Sequence, residues 1–184
     1  MLDNLIDVLD KEGKKTGQVL TSLDVHEQGL WHATVHIWVY NSKGEILLQK
    51  RSEVAVTYPG LWDISAAGHI DAGETPVEAA IREIKEEIGI AIKKKDLKSA
   101  FIRKSSVKIP VRGWMNKEFQ HVYTLRLNKN LKDLKLQTDE VGKVKFFSID
   151  DFTKKLNDPE EYKKFVQHGE YYFEIIEFIK DIKN

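Results

Sequence analysis

The chain has 184 residues, 41% of them hydrophobic, with 29 Lys plus Arg against 29 Asp plus Glu and no cysteine. That length suits one domain with a substantial core, expected to span residues 1–184. The charge balance offers no global field for nucleic acid or an anionic membrane, and the lack of cysteine excludes disulfides, thiolate metal sites and a cysteine nucleophile.

Met1-Leu2-Asp3-Asn4 lacks the basic and apolar regions of a signal peptide, and no apolar run nears the ~18 residues of a membrane span, so a cytoplasmic protein is expected. Leu5 to Leu9 and Gly17 to Leu20 flank the polar turn Asp10-Lys11-Glu12-Gly13-Lys14, which predicts an N-terminal hairpin over about 5–20. His32 to Tyr40 reads as a strand, turned by Asn41-Ser42-Lys43-Gly44 into a second at 45–51. After a helix at 76–88, strands are expected at Lys98 to Lys108 and Glu118 to Leu127, joined by a loop holding Pro110, Gly113 and Trp114, with another at Val144 to Phe147. A short helix near 149–156 and a longer one over about 159–182 complete an α+β pattern. The apolar residues of the last helix, Tyr171 to Ile179, are expected to pack on the domain or on a second subunit of a homodimer.

The helix at 76–88 carries the chemistry. Thr75-Pro76-Val77-Glu78 is a helix start, with Thr as N-cap, Pro at N1 and Glu at N3 closing a capping box. Val77, Ala80, Ile81, Ile84 and Ile88 recur at helical spacing and form the buried stripe, and Gly89 sits where a helix ends. With Val77 at 0°, Glu86 falls at about 180°, Glu83 at about 240° and Glu87 at about 280°, so three carboxylates share one flank while Arg82 and Lys85 point to the other side. Ala79 lies on the acidic flank, where a small side chain would leave room for phosphate. Three acids at this spacing repel, and a dication would reverse that sign. Oxygen-only ligation suits Mg2+ or Mn2+.

The run from Gly68 through Glu74 to Arg82-Glu83-Ile84-Lys85-Glu86-Glu87-Ile88-Gly89-Ile90 matches the Nudix box at every fixed position, and the chain strongly resembles the Nudix superfamily. The resemblance implies an α/β/α sandwich around a mixed β-sheet and Mg2+- or Mn2+-dependent hydrolysis of a diphosphate linkage in a nucleoside diphosphate derivative or related diphosphate. It implies metal ligands at Glu83, Glu86, Glu87 and the Gly68 carbonyl, and Arg82 orienting a box carboxylate. The general base is left open among Glu83, Glu86, Glu118 and Glu140. Two further segments, Trp31 to Gly44 and Tyr58 to His69, are similar to the subgroup related to isopentenyl-diphosphate isomerase.

That likeness adds Glu118 to the catalytic and metal-binding set, while Arg51 as a phosphate contact, Trp62 as a ring to stack on a base and His69 next to the box glycine are substrate-binding candidates in their own right. It aligns His32 with an isomerase metal ligand, while His26 falls one residue out of register with another. Ala67 stands where the isomerases carry a catalytic cysteine, and a methyl group transfers no proton. Arg82-Glu83 is also intact where the isomerases tend to lose the carboxylate. Hydrolysis is therefore expected ahead of isomerase-like activity or a non-catalytic nucleotide-sensing module. The expected partner is a small diphosphate, with neither membrane nor specific nucleic acid.

Overall fold

Thr75 caps the helix Pro76–Ile88 (α2): its hydroxyl accepts from the Glu78 N–H while the Glu78 carboxylate accepts from the Thr75 N–H at 2.9 Å. Gly89 closes it with φ of 71°, a left-handed conformation that glycine adopts without a Cβ penalty. This computed structural model describes residues 3–109 and 112–183, so Pro110 lies outside the described residues.

Nine strands join one mixed sheet among the described residues. They are β1 (Leu5–Leu9), β2 (Lys15–Thr21), β3 (Trp31–Tyr40), β4 (Ile46–Arg51), β5 (Trp62–Asp63), β6 (Ala66–His69), β7 (Leu97–Ile109), β8 (Trp114–Arg126) and β9 (Val141–Phe147). β3 is the hub. It runs parallel to β8 from Trp31–Lys117 to Tyr40–Arg126 and antiparallel to β1, β4 and β6. Outside it, β8 pairs with β7, and β4 with β5 and β9.

Alternation along β3 builds two cores from one strand. Val35, Ile37 and Val39 face α2, where they meet Ala80, Ile84 and Ile88. Trp38 and Tyr40 face the other side, covered by the helices α3 (Ile149–Asn157) and α5 (Tyr171–Lys183) through Phe152, Tyr171, Tyr172, Ile175 and Ile179. The sheet is thus sandwiched between helices, as the family resemblance implies.

Several elements differ from expectation. Residues Ser22–Gln28 form a helix (α1), capped by Thr21 and closed by Gly29 at φ of 61°. With only seven residues and two strongly apolar side chains, Leu23 and Val25, set two apart, it has too little helical periodicity to be legible. The helix expected over about 159–182 is two segments, α4 (Pro159–Tyr162) and α5, because the chain between them extends so that Trp62 N donates to Lys164 O and Val166 N to Trp62 O. β8 starts four residues before Glu118, which is therefore inside the strand. Ala79 is fully buried in the α2 core and leaves no room for phosphate, because α2 packs on β6 as well as β3.

Ile84 has no exposed surface. Ile84→Ala should cost about 2–5 kcal/mol, whereas Thr75→Ala should cost about 1 kcal/mol through the lost cap. Urea unfolding of both variants checks the order, and equal losses would contradict the placement of Ile84.

Candidate active site

α2 delivers its acids to a cleft of about 960 Å³ whose lining includes Gly68, Glu83, Glu86 and Glu87 together with His36, Arg51, Asp63, Glu118 and His168. Glu87 is fixed by two neutral donors, Gln49 Nε2 at 2.7 Å and the Ala67 N–H at 3.0 Å. Its burial pushes the carboxyl well above the usual range, and Glu83 adds to the push. Burial likewise raises Glu83 to about 7, even against the pull of Arg82. Glu86, by contrast, stands half exposed at the cleft edge.

The helical wheel sent Arg82 away from these acids, and here it was wrong: the long side chain curls back around the helix. Its Nη1 donates to Glu83 at 2.6 Å and Glu86 at 3.2 Å, while Nε and Nη2 grip Glu74 at 3.1 and 2.8 Å. Nη2 also donates to the His69 carbonyl at 2.9 Å. Glu74 in turn accepts from the Asp71 N–H, so it holds the loop between β6 and α2.

The set fits a hard divalent cation on two grounds. Two desolvated carboxylates lie side by side with one arginine shared among several acids, and they offer oxygen donors only. Gly68 packs so closely on Glu83 that a Cβ there would overlap its carboxylate. The glycine is required by space, since its backbone is not left-handed.

A second group of ligand-type residues sits nearby. His26, His32 and His69 bring ring nitrogens within 4.8 Å of one another, and His26 Nε2 lies 3.1 Å from His69 Nε2. Trp114 stacks on His26 with centroids 5.4 Å apart and planes 8° from parallel. Glu118 reaches to 3.8 Å from His32 Nε2. Burial is the main force lowering all three histidines, with His26 at about 4 and His69 at about 3, so the rings are neutral and able to ligate. Sequence register had set His26 aside; α1 turns the chain so that it meets the other two. Trp114, expected in the loop between the two strands, instead opens β8, and its pairing across β7 and β8 places it here.

Other candidates are distributed as follows. Glu118 sits with the histidines and accepts from Gln120 Nε2 at 2.6 Å, whereas Glu140 is the acid outside the box whose charge acts on both Glu83 and Glu87. Arg51 lines the cleft, but its guanidinium is engaged with Thr57 O at 2.7 Å, Thr57 Oγ1 at 3.2 Å and Asp63 at 3.4 Å. Trp62 packs edge-on against Phe147, with Lys143 over its ring.

A family model described as NUDIX domain matches residues 30–169. An uncharacterized Nudix hydrolase of Clostridium acetobutylicum is 34% identical over 85% of this chain and 76% of its own length. Nudix hydrolase 3 of Arabidopsis thaliana is 35% identical over 93% of this chain, which spans only 23% of that protein. Isopentenyl-diphosphate Delta-isomerase 2 of Photorhabdus laumondii is 30% identical over 80% of this chain and 79% of its own length. Among solved structures, one from Deinococcus radiodurans aligns with a TM-score of 0.65 over 96% of this chain and 98% of that one at 20% identity, a likeness of fold.

Replacing Gly68 by Ala should displace the Glu83 carboxylate and cost about 1–3 kcal/mol through overpacking. Unfolding measurements with a crystal structure of the variant check this; an unmoved Glu83 would contradict the close approach.

Proposed function

Because this chain belongs to the Nudix family, we propose that it is a hydrolase cleaving a phosphoric anhydride bond in a nucleoside diphosphate derivative or related diphosphate, with Mg2+ or Mn2+ as cofactor. The observation that carries this reading is the close packing of Gly68 on Glu83 beside a buried Glu87, an arrangement of oxygen donors that suits a hard dication. Glu83, Glu86, Glu87 and the Gly68 carbonyl would hold the ion. When bound, it would neutralise the diphosphate bridge and acidify a water for attack at phosphorus.

The chain's own residues prepare that site before substrate arrives. Arg82 locks Glu83 and Glu86 by charge-assisted hydrogen bonds, and Gln49 holds one oxygen of Glu87 so that rotation of this carboxylate is blocked. Glu140 is the base candidate outside the box whose charge reaches the box acids, and Glu118 belongs instead with the histidines.

The histidine group favours a second reading, a further metal site of mixed imidazole and carboxylate character at His26, His32, His69 and Glu118, suited to a transition metal. It matches the metal position that the isomerase resemblance implies. Isomerisation itself stands behind hydrolysis, since residue 67 is alanine and no cysteine exists in the chain. A nucleotide-sensing role stands further behind, because the box acids are complete.

Formation of phosphomonoester products with Mg2+ across a panel of nucleoside diphosphate derivatives, read as inorganic phosphate after added phosphatase, together with Mn2+ binding followed by electron paramagnetic resonance, tests the main reading. Glu86→Gln should keep the melting temperature, since the side chain is half exposed, yet lower turnover about 10²-fold or more. Near-normal turnover in saturating metal would remove Glu86 from the site.

The isomerase alternative has its own readout. Wild type should exchange no solvent deuterium into isopentenyl diphosphate with metal present, and Ala67→Cys alone should not create an efficient isomerase. Metal-dependent exchange by the wild type would reverse the order of the two activities.

A further inference from the structure

The diphosphate chemistry leaves one wall of the cleft without a task. Two histidines meet there from distant parts of the chain, His36 on β3 and His168 just before α5, with ring centroids 6.3 Å apart and both lining the cleft. The proton positions on both rings follow from their neighbours.

Trp38 Nε1 can only donate, and it gives its hydrogen to the Tyr171 hydroxyl at 2.9 Å. Burial pushes the Tyr171 phenol upward, so it keeps its own hydrogen. The other polar neighbour of that oxygen is His36 Nδ1 at 3.1 Å. If Nδ1 carried the proton, the buried Tyr171 O–H would be left with no acceptor, a costly arrangement. The hydroxyl therefore donates to Nδ1, and the hydrogen of His36 resides on Nε2. Burial holds this ring neutral, lowering it to about 4.

The second ring has the opposite polarity. Asp63, held at about 2 against the upward push of its burial by His168 and Arg51, accepts from His168 Nε2 at 2.8 Å. With Nε2–H committed to Asp63, Nδ1 is the nitrogen of this ring left to the cleft, and it accepts when the ring carries a single proton. Among the described residues neither His36 Nε2 nor His168 Nδ1 has a hydrogen-bond partner. One oxygen at hydrogen-bond distance from a nitrogen of each ring lies about 4 Å from each centroid, so the observed ring spacing is one that a single oxygen can span.

We propose that His36 Nε2–H and His168 Nδ1 form a donor–acceptor subsite for an alcohol hydroxyl on the organic group attached to the diphosphate, selecting glycosyl over isoprenyl diphosphates. A hydroxyl donates and accepts at once, so it satisfies both nitrogens. An alkenyl chain satisfies neither and strips them of water. This assignment rests on the reading that the carboxylate end of the cleft takes the diphosphate. Tyr171, Trp38 and Asp63 act as positioning residues, because they fix which nitrogen of each ring is left to the ligand.

The test uses two probes sharing a non-cleavable methylene bridge, the analogues of ADP-ribose and of isopentenyl diphosphate, titrated into the full chain with Mg2+ by calorimetry. The glycosyl probe should bind about tenfold tighter or more. His168→Phe and Tyr171→Phe should each remove that advantage, with the isopentenyl probe bound no more weakly than by the wild type. Equal or reversed affinities in the wild type, or an advantage that survives His168→Phe, would overturn the proposal.

Long-range 1H–15N spectra of the histidine-labelled wild type supply a readout that needs no variant to fold. His36 should be protonated at Nε2, with its signals shifted by the glycosyl probe; a proton on Nδ1 would also overturn the proposal. Since the probes cannot be cleaved, a clear preference with no cleavage of any parent diphosphate into its phosphomonoesters would refute the hydrolase reading and leave the subsite standing.

Discussion

The guanidinium of Arg82 is the joint on which the rest of the site depends. It binds Glu74 through two nitrogens, Glu83 and Glu86 through a third, and the His69 carbonyl besides. One planar group thereby ties the loop after β6 to two successive turns of α2. A lysine could neutralise a single acid but could not span these partners, because its donors diverge from one point. The arrangement keeps acids close together that would otherwise separate, and it leaves Glu87 to be fixed by neutral donors. Charge is thus compensated on the outer side of the group and withheld on the inner side, where a cation fits.

β3 then decides what faces those acids. Its odd-numbered residues from Val35 to Val39 fill the core under α2, and its even-numbered ones face the cleft and the second helical layer. Parallel pairing with β8 brings Glu118 opposite His32 and Val122 opposite His36, while antiparallel pairing with β6 brings Ala67 opposite His36. Two polar groups, joined through His32 and His36 on β3, and the carboxylate cluster on α2 therefore share one cavity. Both the imidazole trio and the His36–His168 pair consist of neutral or paired rings, so the cleft is polar but carries little uncompensated positive charge beyond its arginines.

Legibility in the sequence followed the range of the interactions. The capping box of Thr75 and Glu78, the stripe of Ile84 and Ile88 and the stop at Gly89 are local, so the helix and its acids could be placed by spacing alone. The long strands were readable for the same reason, although their ends shifted by a few residues. His26 could not be placed, because its meeting with His69 depends on α1, whose seven residues carry almost no apolar period. Tyr171 was legible only as a packing residue and the meeting of His36 with His168 not at all, since the contacts involved cross more than 100 positions of chain. Arg82 failed for a different reason: an angle assigned to Cα says little about where a long, flexible side chain places its charge.

The pairing of Val166 with Trp62 has a consequence for how the site comes into being. Once residues up to about 147 have left the ribosome, the box, β3 and the histidine trio are all present in the chain, yet the wall that holds His168 is still missing. Domains are made from the N-terminus onward at roughly 5–20 residues per second, so the nascent protein passes through an interval in which the acids have been made and the cleft remains open on one side. Any selectivity that this wall confers is acquired only when the segment after residue 147 docks. The order of synthesis thus separates the arrival of reactive groups from the arrival of discrimination.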